Sequence, residues 1–200
     1  MLSPTDPPDP PPWRQVWPAH LPTTLEYPDV PAWWLLHRNL ERFPDRPALC
    51  VIDQESGAES SSITYSELWR SIQALARSFQ DLGIDRGDRV ALALGNSPEL
   101  VMCFHATWLL GATVAPINPA LTEGEAIHQL ADAEVNILVA TASRAEASMK
   151  IAADLDIQLV LAGEMEPTEL GEALAFDELL CPPEIEFSAR LINPAEEVAV

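Results

Sequence analysis

Between residues 83 and 161 the chain alternates short, largely apolar runs with amphipathic stretches that open on a cap. The apolar runs are 90–94, 113–117, 136–140 and 157–161. A strand that is apolar on both faces must be covered on both faces, which is the situation of a parallel sheet between helical layers. Right-handed crossovers then make the expected fold class α/β: a doubly wound, mostly parallel sheet with helices on both faces.

The helix starts are written in hydrogen-bonding residues. Thr64-Tyr65-Ser66-Glu67 reads as a capping box, after which Leu68, Ile72, Leu75, Phe79 and Leu82 fall on one helical face and Gly83 supplies a left-handed stop. Ser97-Pro98-Glu99 places a cap, a tolerated first-turn proline and a dipole-complementing acid in order, and Gly111 ends that helix. Thr122 to Glu125 forms a second capping box, and residues 143–154 form the next helix. Upstream, residues 32–43 read as a short helix with Trp33, Leu36, Leu40 and Phe43 as its core face. Residues 48–53 and the return to Ile63 read as a hairpin. Beyond residue 161 a short helix is expected over 168–180, and 196–200 reads as the opening of one more strand.

Residues 1–31 hold ten of the nineteen prolines and read as an extended arm, with residues 32–200 as the α/β body. Trp13 and Trp17 in that arm point to docking on the body or on a second copy, a route to a homodimer. The formal net charge of −20 argues against nucleic acid and against an anionic membrane surface. Three widely spaced cysteines fit a reducing compartment and supply no metal-ligand spacing, with Cys50 and Cys103 expected in the core. No apolar run reaches the length of a membrane span, and the first residues lack the features of a secretory signal, so the expected location is cytoplasmic.

Chemistry is sparse. Gly95-Asn96-Ser97-Pro98 sits where a phosphate loop would sit, yet has one glycine where a dinucleotide loop needs three, and no Walker lysine. It reads as a structural strand-to-helix turn. His37, His105 and His128 lie in helices with no nucleophile placed to form a triad. Asp132 and Glu134 read as a solvated pair, and Arg144 and Lys150 as charges on an exposed helix.

The motifs Ile63-Thr64-Tyr65-Ser66-Glu67-Leu68, Leu82-Gly83, Gly87-Asp88-Arg89-Val90-Ala91, Asn96-Ser97-Pro98-Glu99, Gly111-Ala112, Pro116-Ile117-Asn118-Pro119 and Leu121-Thr122, in this order, resemble the N-terminal region of AMP-forming acyl-CoA synthetases. These belong to the adenylate-forming superfamily, with luciferases and peptide-synthetase adenylation domains. The lead-in Trp17-Pro18, Leu21-Pro22 and Tyr27-Pro28 is most similar to long-chain fatty acid–CoA ligases. The resemblance implies a carboxylic acid substrate, with ATP, Mg and CoA as cofactors of the complete enzyme and an acyl-adenylate as intermediate. It also implies that the chain stops before the family's phosphate-binding loop, so it carries over no catalytic and no metal-binding residue. The one residue it marks as a candidate for CoA phosphate is Arg144, after the 136–140 strand. On this reading the chain alone is inactive. The alternatives are a non-catalytic interaction module that keeps the fold, or part of another adenylate-forming enzyme. A dinucleotide-binding domain is disfavoured by the missing glycines.

Overall fold

The computed structural model describes residues 11–26, 28–53, 55–180, 189, 193 and 199. Its centre is a five-stranded sheet, all of whose pairings are parallel. The strands are β3 (Arg89–Ala93), β4 (Thr113–Pro116), β5 (Ile137–Thr141), β6 (Gln158–Ala162) and β7 (Leu174–Ala175), in spatial order β4-β3-β5-β6-β7. Before them come α1 (Trp34–Arg42), the antiparallel pair β1 (Pro47–Ile52) and β2 (Glu59–Thr64), and α2 (Tyr65–Asp81). The crossovers are α3 (Pro98–Leu110), α4 (Glu123–Asp132) and α5 (Ala145–Leu155). The expected doubly wound α/β sheet is the observed one.

Successive strand residues divide between two apolar clusters, as the pleat requires. Val90, Leu92 and Leu94 join Ile137, Val139 and Val160 under α2 and α3. Ala91, Ala93, Leu138, Ala140, Leu159 and Leu161 face α4 and α5. Alanines on the second face of β3 leave little side-chain bulk between that strand and the α4–α5 layer. On the first face Phe79 and Phe176 are the bulkiest fully buried side chains.

The caps follow the sequence. Thr64 accepts from the Glu67 amide at 3.2 Å while the Glu67 carboxylate accepts from the Thr64 amide at 2.9 Å, and Thr122 and Glu125 repeat the arrangement. The same contacts hold the Glu67 and Glu125 carboxyls below their ordinary range: for Glu67 the Thr64 backbone bond is the main cause, for Glu125 the Thr122 hydroxyl. Ser97 accepts from the Leu100 amide, and Gly111 closes α3 at φ 72°. Helices α4 and α5 end without glycine: Glu134 (φ 48°) and Asp156 (φ 53°) take the left-handed conformation. Glu134 is also tied to Arg89 at 3.0 Å.

Several expectations need correction. Phe43 lies outside the core, 36% exposed, because it stacks under the guanidinium groups of Arg42 and Arg46 at the end of α1. Cys50 is exposed, since it points away from the body on β1, whereas Cys103 is fully buried and burial pushes its thiol up. No α-helix forms over 168–180; 3-10 turns at Pro167–Glu169 and Phe176–Leu180 flank the two-residue β7. Gly171 at φ 57° and proline at the first of these turns explain the interruption. The tryptophans of the arm do not pack on either cluster, which corrects docking on the body and leaves docking on a second copy as the alternative. Trp13 and Trp17 meet edge to face at 5.3 Å, and Trp17 Nε1 donates to the carbonyls of Leu21 and Pro22. The strand expected at 196–200 lies outside the described residues apart from Ala199. The carbonyl of Ala199 accepts from the Val114 amide and from Trp108 Nε1, each at 3.0 Å.

Two expected outcomes test this account. Thr64→Ala removes one half of the α2 capping box and should destabilise the fold by about 1 kcal/mol in urea unfolding; a change near zero would show that the box contributes nothing. His105 lies half-buried on α3 against Trp108, its Nδ1 buried with no hydrogen-bond partner among the described residues, and burial lowers its pKa from 6.5 to about 4. The unfolded chain therefore binds a proton that the folded chain refuses between those values. Stability from this residue is complete above pH 6.5 and is lost as pH falls toward 4. Between pH 6.5 and 5 the loss should be about 2 kcal/mol, and His105→Leu should flatten the urea-monitored profile in that window. An unchanged slope would sink it.

Candidate functional site

In the spatial order β4-β3-β5-β6-β7, the chain leaves β3 toward one edge and returns past it to build toward the other. The switch point therefore lies between β3 and β5, and a doubly wound sheet offers its ligand crevice beyond the carboxyl ends of those strands. Three segments border it: Gly95-Asn96-Ser97 after β3, Ile117 to Leu121 after β4, and Ala142-Ser143-Arg144 after β5.

The loop after β3 is a turn and no cradle. Gly95 has no positive φ, and a Cβ added to it would meet nothing within 4 Å. A phosphate-binding glycine is needed where a side chain would block close approach; here alanine would fit. The Ser97 hydroxyl already caps the first turn of α3. The structural reading of Gly95-Asn96-Ser97-Pro98 is the one the geometry supports.

The loop after β4 is pinned. The Ile117 amide donates to the Leu92 carbonyl at 3.0 Å, and the Ala120 amide to Asn118 Oδ1 at 2.9 Å. Arg144, exposed at the start of α5, donates through Nη2 to the Leu121 carbonyl at 2.9 Å. The guanidinium thus ties the loop after β5 to the loop after β4, and the bond uses only one of its five N–H groups. Beneath it lies a narrow cavity of about 20 Å³ lined by Ala93, Ile117, Asn118, Arg144 and the buried Ser148. That space is close to the volume of one water. Asn118 and Ser148 enter the site through topology alone, since nothing in the sequence marks which loops a switch point brings together.

A wider cleft of about 580 Å³ opens beyond β5 and β6. Glu146, Glu164 and Glu169 line it with Ser143 and Met165, so its charge opposes a phosphate-bearing ligand. Lys150, the only lysine, lies on α5 and is held by Glu146 at 3.2 Å and Glu123 at 3.7 Å, contacts that raise its pKa. It braces α4 against α5. Asp132 and His128 stay exposed, and Glu134 belongs to the Arg89 pair. Among the described residues no group of three His, Cys, Asp or Glu side chains is placed to hold a metal, and no helix is long and apolar enough to cross a membrane.

Comparison with known proteins agrees with this geometry. The family model described as AMP-binding enzyme matches residues 36–195. The chain is 32% identical over 162 residues to a 4-coumarate–CoA ligase of Humulus lupulus, covering 81% of this chain and 28% of that protein. It is 30% identical over 128 residues to a long-chain-fatty-acid–CoA ligase of Bacillus subtilis, covering 64% of this chain and 22% of that one. The chain thus spans less than a third of the length of these relatives. In fold it superposes on a long-chain-fatty-acid–CoA ligase of Archaeoglobus fulgidus with a TM-score of 0.73 at 24% identity, over 88% of this chain and 34% of that one. A match over 160 of the 200 residues, on a parallel sheet of the same architecture, places the chain in the AMP-binding enzyme family.

Proposed function

We propose that residues 32–200 are the N-terminal α/β portion of an ATP-dependent carboxylic acid–CoA ligase acting through an acyl-adenylate, with residues 1–31 as its arm. The supporting observation is the pairing of a family match over residues 36–195 with a switch-point crevice that has no phosphate cradle of its own. The loop after β3 offers no close backbone approach for a phosphate, and the only lysine is engaged between two helices. The described residues therefore do not fit ATP and Mg, and no chemical step is assigned to them. In this reading the reacting groups lie outside these residues, and the sheet supplies one wall of the site.

A fatty acid is the proposed substrate class, on the strength of the arm's Trp17-Pro18 and Leu21-Pro22 pattern and the fatty-acid ligases among the relatives. The cytoplasm, where CoA and ATP are available, is the proposed location. Arg144 is the proposed contact for a CoA phosphate: it is exposed at the mouth of the crevice, and its remaining N–H groups suit an oxyanion. Its bond to Leu121 would hold the guanidinium in place for that contact.

Two measurements test the reading. The purified 200-residue chain, given palmitate, ATP, Mg and CoA, should release no acid-dependent AMP; release above the acid-free control would refute the assignment of a non-reacting wall. Arg144→Met keeps the length of the side chain and removes the charge. It should weaken CoA binding in calorimetry by about tenfold, the effect of losing about 1.4 kcal/mol, and equal affinities would remove Arg144 from the site.

A further inference from the structure

Four basic side chains of this acidic chain are held by oxygen acceptors. Arg77 pairs with Asp81 and Arg89 with Glu134, each at 3.0 Å; Lys150 pairs with Glu146, and Arg144 holds the Leu121 carbonyl. The stretch from Arg38 to Arg46 is different. Arg38 lies over the Trp34 ring, its guanidinium carbon 5.4 Å from the ring centre. Arg42 and Arg46 both lie over Phe43, at 5.5 and 4.8 Å. None of the three has a carboxylate partner among the described residues, although the chain carries 31 Asp and Glu. The last turn of α1 favours a cation at Arg42 through the helix dipole, but it accounts for neither of the others.

Stacking occupies the flat face of a guanidinium and leaves its edge, with the N–H donors, turned outward. Two such forks gathered around one ring repel each other unless an anion lies between or beside them. Phe43 is 36% exposed, so the surface combines arginine and aromatic groups, the residue types enriched at interface centres.

The chain carries a surface of complementary chemistry. Between Lys150 and Arg190 there is no basic residue, and Glu164, Glu166, Glu169, Glu172, Asp177 and Glu178 are all exposed. The two surfaces sit at opposite ends of α2. The 43–46 loop receives the Ser66 amide on the Pro44 carbonyl and the Tyr65 amide on the Arg46 carbonyl, at the first turn. The Leu179 carbonyl, next to Asp177 and Glu178, receives the Ser78 hydroxyl at 2.8 Å, near the last turn. Twelve residues of helix separate those anchors by about 18 Å, well beyond a screening length of about 8 Å at physiological salt. The surfaces therefore cannot neutralise each other within one molecule.

We propose that Arg42, Phe43 and Arg46, extended by Arg38, form a docking surface for the acidic Asp177–Glu178 end of a second copy of this chain. The contact is head to tail, joining two different surfaces, and it works against the overall negative charge, so it is weak and strongly salt-dependent.

Sedimentation velocity of the 200-residue chain over a range of concentrations tests this. In about 30 mM NaCl the average mass should rise with concentration above the 21.9 kDa of one chain, and about 300 mM NaCl should weaken the association at least tenfold. Arg42→Glu/Arg46→Glu should stay monomeric, as should Asp177→Lys/Glu178→Lys. Mixed together, the two variants should again associate, because the intact basic surface of one meets the intact acidic end of the other. A monomer at every concentration and salt level would overturn the proposal without recourse to variants. So would self-association that survives both pairs of substitutions in variants with unchanged melting temperatures. A third overturning result is a chain that stays monomeric while inorganic pyrophosphate shifts the Arg42 and Arg46 amide resonances, which would make the surface a small-anion site.

Discussion

The structure depends on β3 being buried on both faces. Its alternate residues, Val90 and Leu92 on one side and Ala91 and Ala93 on the other, put one strand into two cores at once. Every neighbouring strand must match that division in register, and the parallel pairs Val90 with Ile137 and Leu92 with Val139 do so. A one-residue slip would exchange the large and small faces of β3 and drive leucine into the space that alanine leaves for α4 and α5. The same burial commits the chain to crossover helices, since β3, β5 and β6 have no polar face to show to water. The position of the crevice then follows, because crossovers of fixed hand around β3 leave the switch point beside its carboxyl end.

This part of the fold is legible in sequence because each of its determinants is local. Thr64 with Glu67, Thr122 with Glu125, and Ser97 with Pro98 each declare a helix start within four residues, and Gly111 declares a stop. Where the determinant is distant, sequence reading fails. Cys50 and Cys103 both stand in apolar runs, yet only Cys103 is interior, because exposure on β1 is set by what the hairpin lies against. Phe43 has the right helical spacing for the core face of α1, but the helix ends at Arg42 and the ring turns out to meet two guanidinium groups. β7 is two residues long and is held by β6, so no periodicity could reveal it.

The site was less legible still. Arg144 could be picked out as a basic residue after a strand, but its partner is a backbone carbonyl twenty-three residues away, and a carbonyl has no sequence signature. Asn118 and Ser148 line the same cavity from separate segments. Gly95 illustrates the opposite case. One glycine with no Walker lysine already reads in sequence as a structural strand-to-helix turn, and the open space around Gly95 and its ordinary φ agree.

Charge separates what this scaffold can do from what it cannot. A phosphate-bearing substrate approaching the β5–β6 cleft meets Glu146, Glu164 and Glu169, and one approaching the loop after β3 meets a helix end already capped by Ser97. Among the described residues, Arg144 presents spare donors at the mouth of the β3–β5 crevice. The proposed role of Arg144 follows this division of charge, since it asks the scaffold to hold one end of an anionic ligand and no more. A scaffold of this kind can be acidic over most of its surface without cost to binding, provided its few cations stand where the ligand arrives. Arg38, Arg42 and Arg46, in α1 and just after it, obey the same economy at a different end of the molecule, with no ion-pair partner among the described residues.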